Sequence, residues 1–208
     1  MSKRPADEKT RAHAGARLDV AALLTEAMER QIRKGASFQA LTVDGLAREA
    51  GVSRSSFYLR FKDKNDLLAY LLERVASEIG VAAGDWFAHP ESTGPDQVMT
   101  AVAGIVDVFE RHRAVMQAAI ETSGQDPKID SLYRQLLRNL LRTNRRVVQR
   151  AAMAGRTRPD LSTDVGDALV WMIERCSYQL ASADARGRQR AIGALSHIVW
   201  HSLFEDER

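Results

Sequence analysis

A single cysteine, Cys176, among 208 residues leaves no intramolecular disulfide possible, and a thiolate metal cluster would need a second chain. A reducing compartment fits that scarcity. No apolar run reaches the roughly 18 to 20 residues that a membrane span requires, and residues 1–9 lack the apolar centre of a signal peptide. A cytoplasmic protein without a membrane partner is therefore expected. The sequence also has no Gly-rich phosphate loop, no H-E-x-x-H pair and no G-x-S-x-G elbow, so catalysis is not expected and no cofactor or metal is required. Strand-like alternation never lasts more than a few residues, and neither internal repeats nor low-complexity segments occur.

What is present is helical periodicity carried by a chain that is 45% hydrophobic, enough to bury a core in one large domain or two small ones. Apolar residues recur at helical spacing almost throughout, as in Ala21, Leu24, Met28 and Ile32, so the fold class is all-α. Capping residues, glycines and prolines divide the chain into about nine helices, near 17–34, 43–50, 54–60, 64–86, 96–112, 114–123, 127–154, 164–182 and 186–203. Three regions follow: a flexible basic tail at 1–16, a compact unit of short helices at 17–65, and a body of longer helices with wide apolar faces at 66–208. Charge divides along the same line. Residues 1–65 carry 13 Lys and Arg against 8 Asp and Glu, net +5, while the rest carry 17 against 19, net −2. A basic front on a mildly acidic body suits a polyanion, because cations that neutralise phosphates release condensed counterions.

The most informative stretch is residues 41–61. Thr42 can cap a helix whose inner face is Val43, Leu46, Ala47 and Ala50, and Gly51 can adopt the positive φ of a sharp inter-helix turn. Ser53 can cap the next helix, small Ala47 permits a close crossing, and Val52, Phe57 and Phe61 fill the space between the helices. An ordinary helical hairpin would need those features too, but not the polar outer face of Arg54, Ser55, Ser56, Tyr58 and Arg60. Such side chains suit groove edges and phosphates.

In residue type and spacing this stretch, continued by Lys64 and Leu67-Leu68, resembles the DNA-binding signature of the TetR family over about 30 residues. The resemblance implies a three-helix helix-turn-helix domain at 17–65, a fourth helix linking it to an effector-binding and dimerisation body, and a homodimeric repressor. It also implies roles: Arg54, Ser55 and Ser56 face base edges, and Thr42, Tyr58 and Lys64 grip phosphate. For Thr42 and Lys64 a first-principles reason exists, since residues at helix starts lie beside free backbone N–H groups. Asp63 fits as cap of the linking helix, with Asp66 completing an acidic capping box. Lys3, Arg4, Lys9 and Arg11 suit either a minor-groove arm or a solubilising tail.

In the body, residues 171–176 and 196–200 resemble the EthR subgroup of that family. That resemblance implies an apolar tunnel for a small effector and a dimer formed through the last two helices. The subgroup commonly has asparagine where this chain has Ile173, so a polar anchor for the effector is not evident there. The stock of aromatics and methionines in the later helices serves a core or lines an effector chamber, and the expected ligand set is Met99, Phe109, Met116, Tyr133, Leu137, Trp171, Met172 and Ile173. The function expected is repression at a palindromic double-stranded DNA operator, relieved by a small, largely apolar molecule. A constitutive relative without effector, or a helical enzyme, is the alternative. His197, His201 and Glu205 share a face at metal-ligand spacing but have no further ligand cluster beside them, so no metal is assigned. The arginines at 134, 138, 142, 145, 146 and 150 read as a solvated face, and Cys176 as a small core residue rather than a redox sensor.

Overall fold

The computed structural model describes residues 6–180 and 184–204, with side chains from residue 20 onward except that of Leu180. Over these residues it contains ten α-helices and a single 3-10 turn at Phe38–Ala40, with no strand longer than an isolated bridge between Thr157 and Phe204. The helices are α1 (Ala6–Arg33), α2 (Val43–Glu49), α3 (Arg54–Tyr58), α4 (Lys64–Ala82), α5 (Gly84–Ala88), α6 (Pro95–Arg111), α7 (Arg113–Ser123), α8 (Pro127–Met153), α9 (Thr163–Leu180) and α10 (Ala185–Leu203).

Two differences from the sequence reading have local causes. The expected helix at 64–86 is split, because Gly84 takes a φ of +47° that interrupts the ladder after α4 and starts the short α5. That break makes ten helices instead of about nine. Helix α1 also begins at Ala6, so the backbone of residues 6–16 is helical where a flexible tail was expected. Its first turns are rich in Ala, Glu, Lys and Arg, all strong helix formers, and no proline follows Pro5 there. Lys3 and Arg4 lie outside the described residues.

Capping fixes the remaining boundaries. The Thr42, Ser53 and Asp63 side chains accept backbone N–H bonds from Gly45, Ser56 and Asp66 at 3.0, 3.0 and 2.8 Å, opening α2, α3 and α4. Asp126 caps α8 ahead of Pro127, and Asp184 caps α10. Asp66 accepts from the Lys62 N–H at 3.2 Å, one residue ahead of the partner a capping box would use.

Helices α1, α2 and α3 pack together, and α4 runs out of that unit against α6, α7 and α8; α6 and α8 then flank α9, and α10 lies on α6 and α9. One hydrophobic core is continuous through both regions, from Leu24, Met28, Leu46 and Phe57 through Leu68, Leu71 and Val75 of α4 to Val106, Val115 and Ile129. Helix α4 shares that core with both regions, and α7 also meets α1 and the 3-10 turn directly.

Candidate nucleic-acid interface and internal cavity

The turn between α2 and α3 is built on Gly51, whose φ is +68°. Val52 N–H donates to Ala47 O and Gly51 N–H to Arg48 O, at 2.9 and 3.2 Å, the paired bonds of a Schellman turn. Phe57, wholly buried, anchors the underside of α3. Its ring centroid is 5.6 Å from that of Tyr58 and 5.8 Å from Phe61, which is in turn 5.6 Å from Tyr70 on α4. A run of aromatic contacts thus connects the solvent side of α3 to the linking helix. From behind, Arg30 of α1 donates to both the Glu49 carboxylate and its backbone carbonyl at 3.1 Å, and Gln31 donates to Gly45 O at 3.2 Å.

The expected DNA-facing residues are not equally free. Arg54 and Ser55 are exposed, and Arg54 bridges to Asp44 of α2 at 3.0 Å while lying over the Tyr58 ring. Thr42 and Tyr58 are exposed as well, whereas the Ser56 hydroxyl is half-buried and shares a 2.8 Å bond with Ser53. Lys64, expected to grip phosphate, is engaged within the chain. Its ammonium donates to Phe38 O, Gln39 O and Leu41 O at 3.1, 2.7 and 2.9 Å and sits over the Phe38 ring. All three protons of the group are engaged by carbonyls, and burial holds its pKa below the usual lysine value. The side chain closes the C-terminal side of the 3-10 turn onto the start of α4.

Within the body a cavity of about 40 Å³ lies between α4, α5, α6, α8 and α9. Of the expected ligand residues, Phe109 and Ile173 line it. Tyr133 reaches its wall by donating from its hydroxyl to Glu174 Oε1 at 2.8 Å. Burial, and then the Glu174 charge, push the Tyr133 pKa upward, so the hydroxyl keeps its proton. Met116 and Leu137 are buried in the surrounding core, Met172 is half-buried, and Met99 and Trp171 are 42% and 47% exposed on outer faces of α6 and α9. The sequence reading missed Ile79, Trp86, Ile105, Asn144 and Glu174, which complete the lining with Phe87, Leu140 and Val170. A signal for Glu174 was available: Val170, Ile173, Glu174 and Ser177 lie at i, i+3, i+4 and i+7, so the carboxylate stands on the apolar face of α9. Where the resembled subgroup commonly has asparagine, Ile173 presents an apolar wall, and the adjacent Glu174 supplies the polar group.

Two clasps join the three-helix unit to the body. At one, His112 between α6 and α7 lies 2.9 Å from Glu78 of α4 and 3.4 Å from Glu29 of α1, the latter an ion-pair distance without hydrogen-bond alignment. At the other, Lys128 bridges to Asp66 at 2.9 Å, Asn65 bonds Asp126, and Gln39 bonds Gln125 at 2.7 Å. The arginines of α8 are exposed, with Arg134, Arg145 and Arg150 paired to Asp130, Asp167 and Glu91. Cys176 is half-buried. His197 and His201 lie with ring centroids 4.2 Å apart, and Glu205 is outside the described residues.

Comparison with known proteins matches residues 23–71 to the family described as bacterial regulatory proteins, tetR family, and residues 98–205 to the C-terminal domain of the transcriptional regulator EthR. The HTH-type transcriptional regulator EthR of Mycobacterium tuberculosis H37Rv is 25% identical over 174 residues, covering 81% of this chain and 80% of that protein. Among solved structures, a SmeT–triclosan complex superposes with a TM-score of 0.71 at 17% identity, covering 90% of this chain and 92% of the other. The ketosteroid transcriptional regulator KstR2 of M. tuberculosis superposes with a TM-score of 0.62, also at 17% identity, with coverages of 89% and 95%.

Proposed function

The chain belongs to the TetR family of bacterial regulatory proteins, with a C-terminal domain of the EthR type, and from that premise we propose that it is a dimeric repressor whose hold on a palindromic operator is released by a small, largely apolar effector. The observation that carries this reading is the continuity of α4. The same helix buries Leu67, Leu68 and Leu71 in the core shared with the helix-turn-helix and presents Ile79 to the internal cavity. A displacement at the cavity then has a path along α4 to the recognition helix, through the ring contact between Tyr70 and Phe61.

On DNA, Arg54, Ser55 and Ser56 read base edges and Thr42 and Tyr58 contact phosphate, with Lys64 holding the start of α4 in register behind them. Dimerisation through α9 and α10 is supported by the exposure of Trp171 and Ile198, 47% and 42%, on the two helices that would pair. Trp171 then belongs to the dimer face instead of the effector wall.

The cavity holds only a few water-sized spheres, so a larger effector has to displace the helices that line it. That need is itself the coupling. A ligand shifts the equilibrium only through its preference for the opened state, and a hundredfold release takes about 2.7 kcal/mol of such preference. Roughly 110 Å² of apolar surface buried only in that state supplies it at about 25 cal/mol per Å². The triclosan complex of the fold neighbour SmeT supports an effector of this kind. The small volume favours a second reading, a regulator without effector.

Footprinting tests the DNA side: the protected site should be an inverted repeat with half-site centres about 34–36 Å apart per dimer, and Arg54→Ala should change which base is preferred. A site without inverted symmetry would refute the dimeric reading. Operator affinity measured with and without apolar compounds that raise the melting temperature separates the two effector readings, because compounds that bind but never weaken DNA affinity leave only the constitutive one.

A further inference from the structure

An apolar cavity is an unusual place for a carboxylate with so little to satisfy it. Glu174 lines the cavity and is 4% exposed. Its Oε1 accepts one bond from the Tyr133 hydroxyl. Oε2 lies 4.0 Å from Arg175 Nε, on a side chain that is itself mostly exposed. A buried carboxylate is stable only when paired or well hydrogen-bonded, and one neutral donor does not meet that requirement. Across the same cavity Trp86, 3% exposed, has an indole Nε1–H with no partner. The Ser177 hydroxyl, one turn beyond Glu174, is wholly buried and also has none. Asn144 is not available in the same way, since its Nδ2 donates to Gly166 O at 2.9 Å.

Resting on the effector reading above and narrowing it, we propose that the effector is an amine on an apolar frame, its ammonium paired with Glu174 and its hydrocarbon against Phe109, Ile105 and Ile173. The charge logic is direct. An ammonium supplies up to three donors and a full positive charge at a site that offers a carboxylate and little water, where such a bond is strongest. An anionic ligand would bring like charge to Glu174, and a purely hydrocarbon ligand would add nothing to the bond that Tyr133 donates. Tyr133 is a positioning residue: holding Oε1, it fixes the carboxylate plane so that Oε2 is presented to the ligand. Trp86 Nε1–H provides an acceptor-seeking second point for amines that carry an ether or hydroxyl oxygen.

The test uses the full-length chain and three probes of nearly equal length, 4-phenylbutylamine, 4-phenylbutan-1-ol and 4-phenylbutyrate, with melting temperature and operator anisotropy read in parallel. The amine should bind at least tenfold more tightly than the alcohol, and the carboxylate weakest. Glu174→Gln should lower amine affinity at least tenfold while changing alcohol affinity less than threefold. Tyr133→Phe, which keeps the Glu174 charge but releases its carboxylate plane, should narrow the amine's advantage over the alcohol while changing alcohol affinity less than threefold, and so serves if Glu174→Gln does not fold. Equal binding of amine and alcohol, or an amine affinity unchanged in Glu174→Gln, overturns the assignment. If the alcohol alone binds and weakens the operator complex, the effector reading survives and the amine assignment fails. If the amine binds through Glu174 without altering operator affinity, the assignment holds and release by effector fails; if no probe binds, both fail.

Discussion

The helix-turn-helix and the body are both helical, yet they are specified in opposite ways. Helices α2 and α3 have seven and five residues, far too few to persist alone; their ends are set by side-chain caps and the Gly51 turn, which act within a few positions in sequence, and they are held by the buried Phe57 and by Arg30 and Gln31 of α1. Helix α8, with 27 residues and a wide apolar face, has length enough to form readily but gains its position only from α7, α9 and α4 packed around it. One region is defined by local chemistry and the other by mutual packing. The first fixes its DNA face by short-range chemistry, while the second leaves a cavity between its helices.

The largest perturbation of this contrast is Phe57→Ala. It removes the one wholly buried side chain of α3 and should cost about 3–5 kcal/mol in denaturant unfolding, with operator binding lost. Retained operator affinity would mean that α3 is held by something other than its core anchor. Next in size is Lys64→Met, which leaves three carbonyl oxygens without their ammonium and should cost about 1–3 kcal/mol. The log–log salt slope of DNA binding should stay unchanged, because Lys64 braces the 3-10 turn; a fall of about one unit would instead show that it contacts phosphate.

Gly51→Ala forces a side chain into a φ of +68° and should destabilise by about 1–2 kcal/mol. No heavy atom approaches a Cβ built there, so the penalty is conformational and a chemical-denaturation series should show no cavity or clash contribution. The smallest effect expected lies at the boundary between the regions. The Glu29 carboxylate, and then Glu78, hold the His112 imidazole above its ordinary pKa against the opposing influence of burial. Arg111 and Arg74 also bridge to Glu78, so His112 shares that partner. Because the folded value is the raised one, this stabilisation is complete below the unfolded pKa of about 6.5 and is lost as pH rises through the folded value. His112→Gln should flatten the decline in melting temperature over that window, and an identical pH profile in wild type and variant would exclude the clasp as its origin.

Most of the recognition unit was legible in sequence because its determinants are short-range. Thr42, Ser53 and Asp63 were expected as caps and Gly51 as the turn, and each does that in the structure. Lys64 was not legible: its three acceptors come from residues 38, 39 and 41, more than twenty positions earlier, and nothing in its own neighbourhood announces them. In the body the methionine and aromatic content suggested a lining but gave no direction to any side chain. Phe109 faces the cavity and Trp171 is half exposed, although both sit in helices of similar pattern.

The sequence by itself determined an all-α chain, a capped helix-turn-helix with a polar outer face, a basic front and a mildly acidic body, because helical period, capping and charge are properties of residues close in sequence. The tertiary structure decided which faces of α4, α6, α8 and α9 meet, and so placed Glu174 beside Tyr133 across 41 positions and Ile79 against the same space. A cavity is what several helices fail to fill together, and that depends on their relative rotation and spacing, which no single segment encodes.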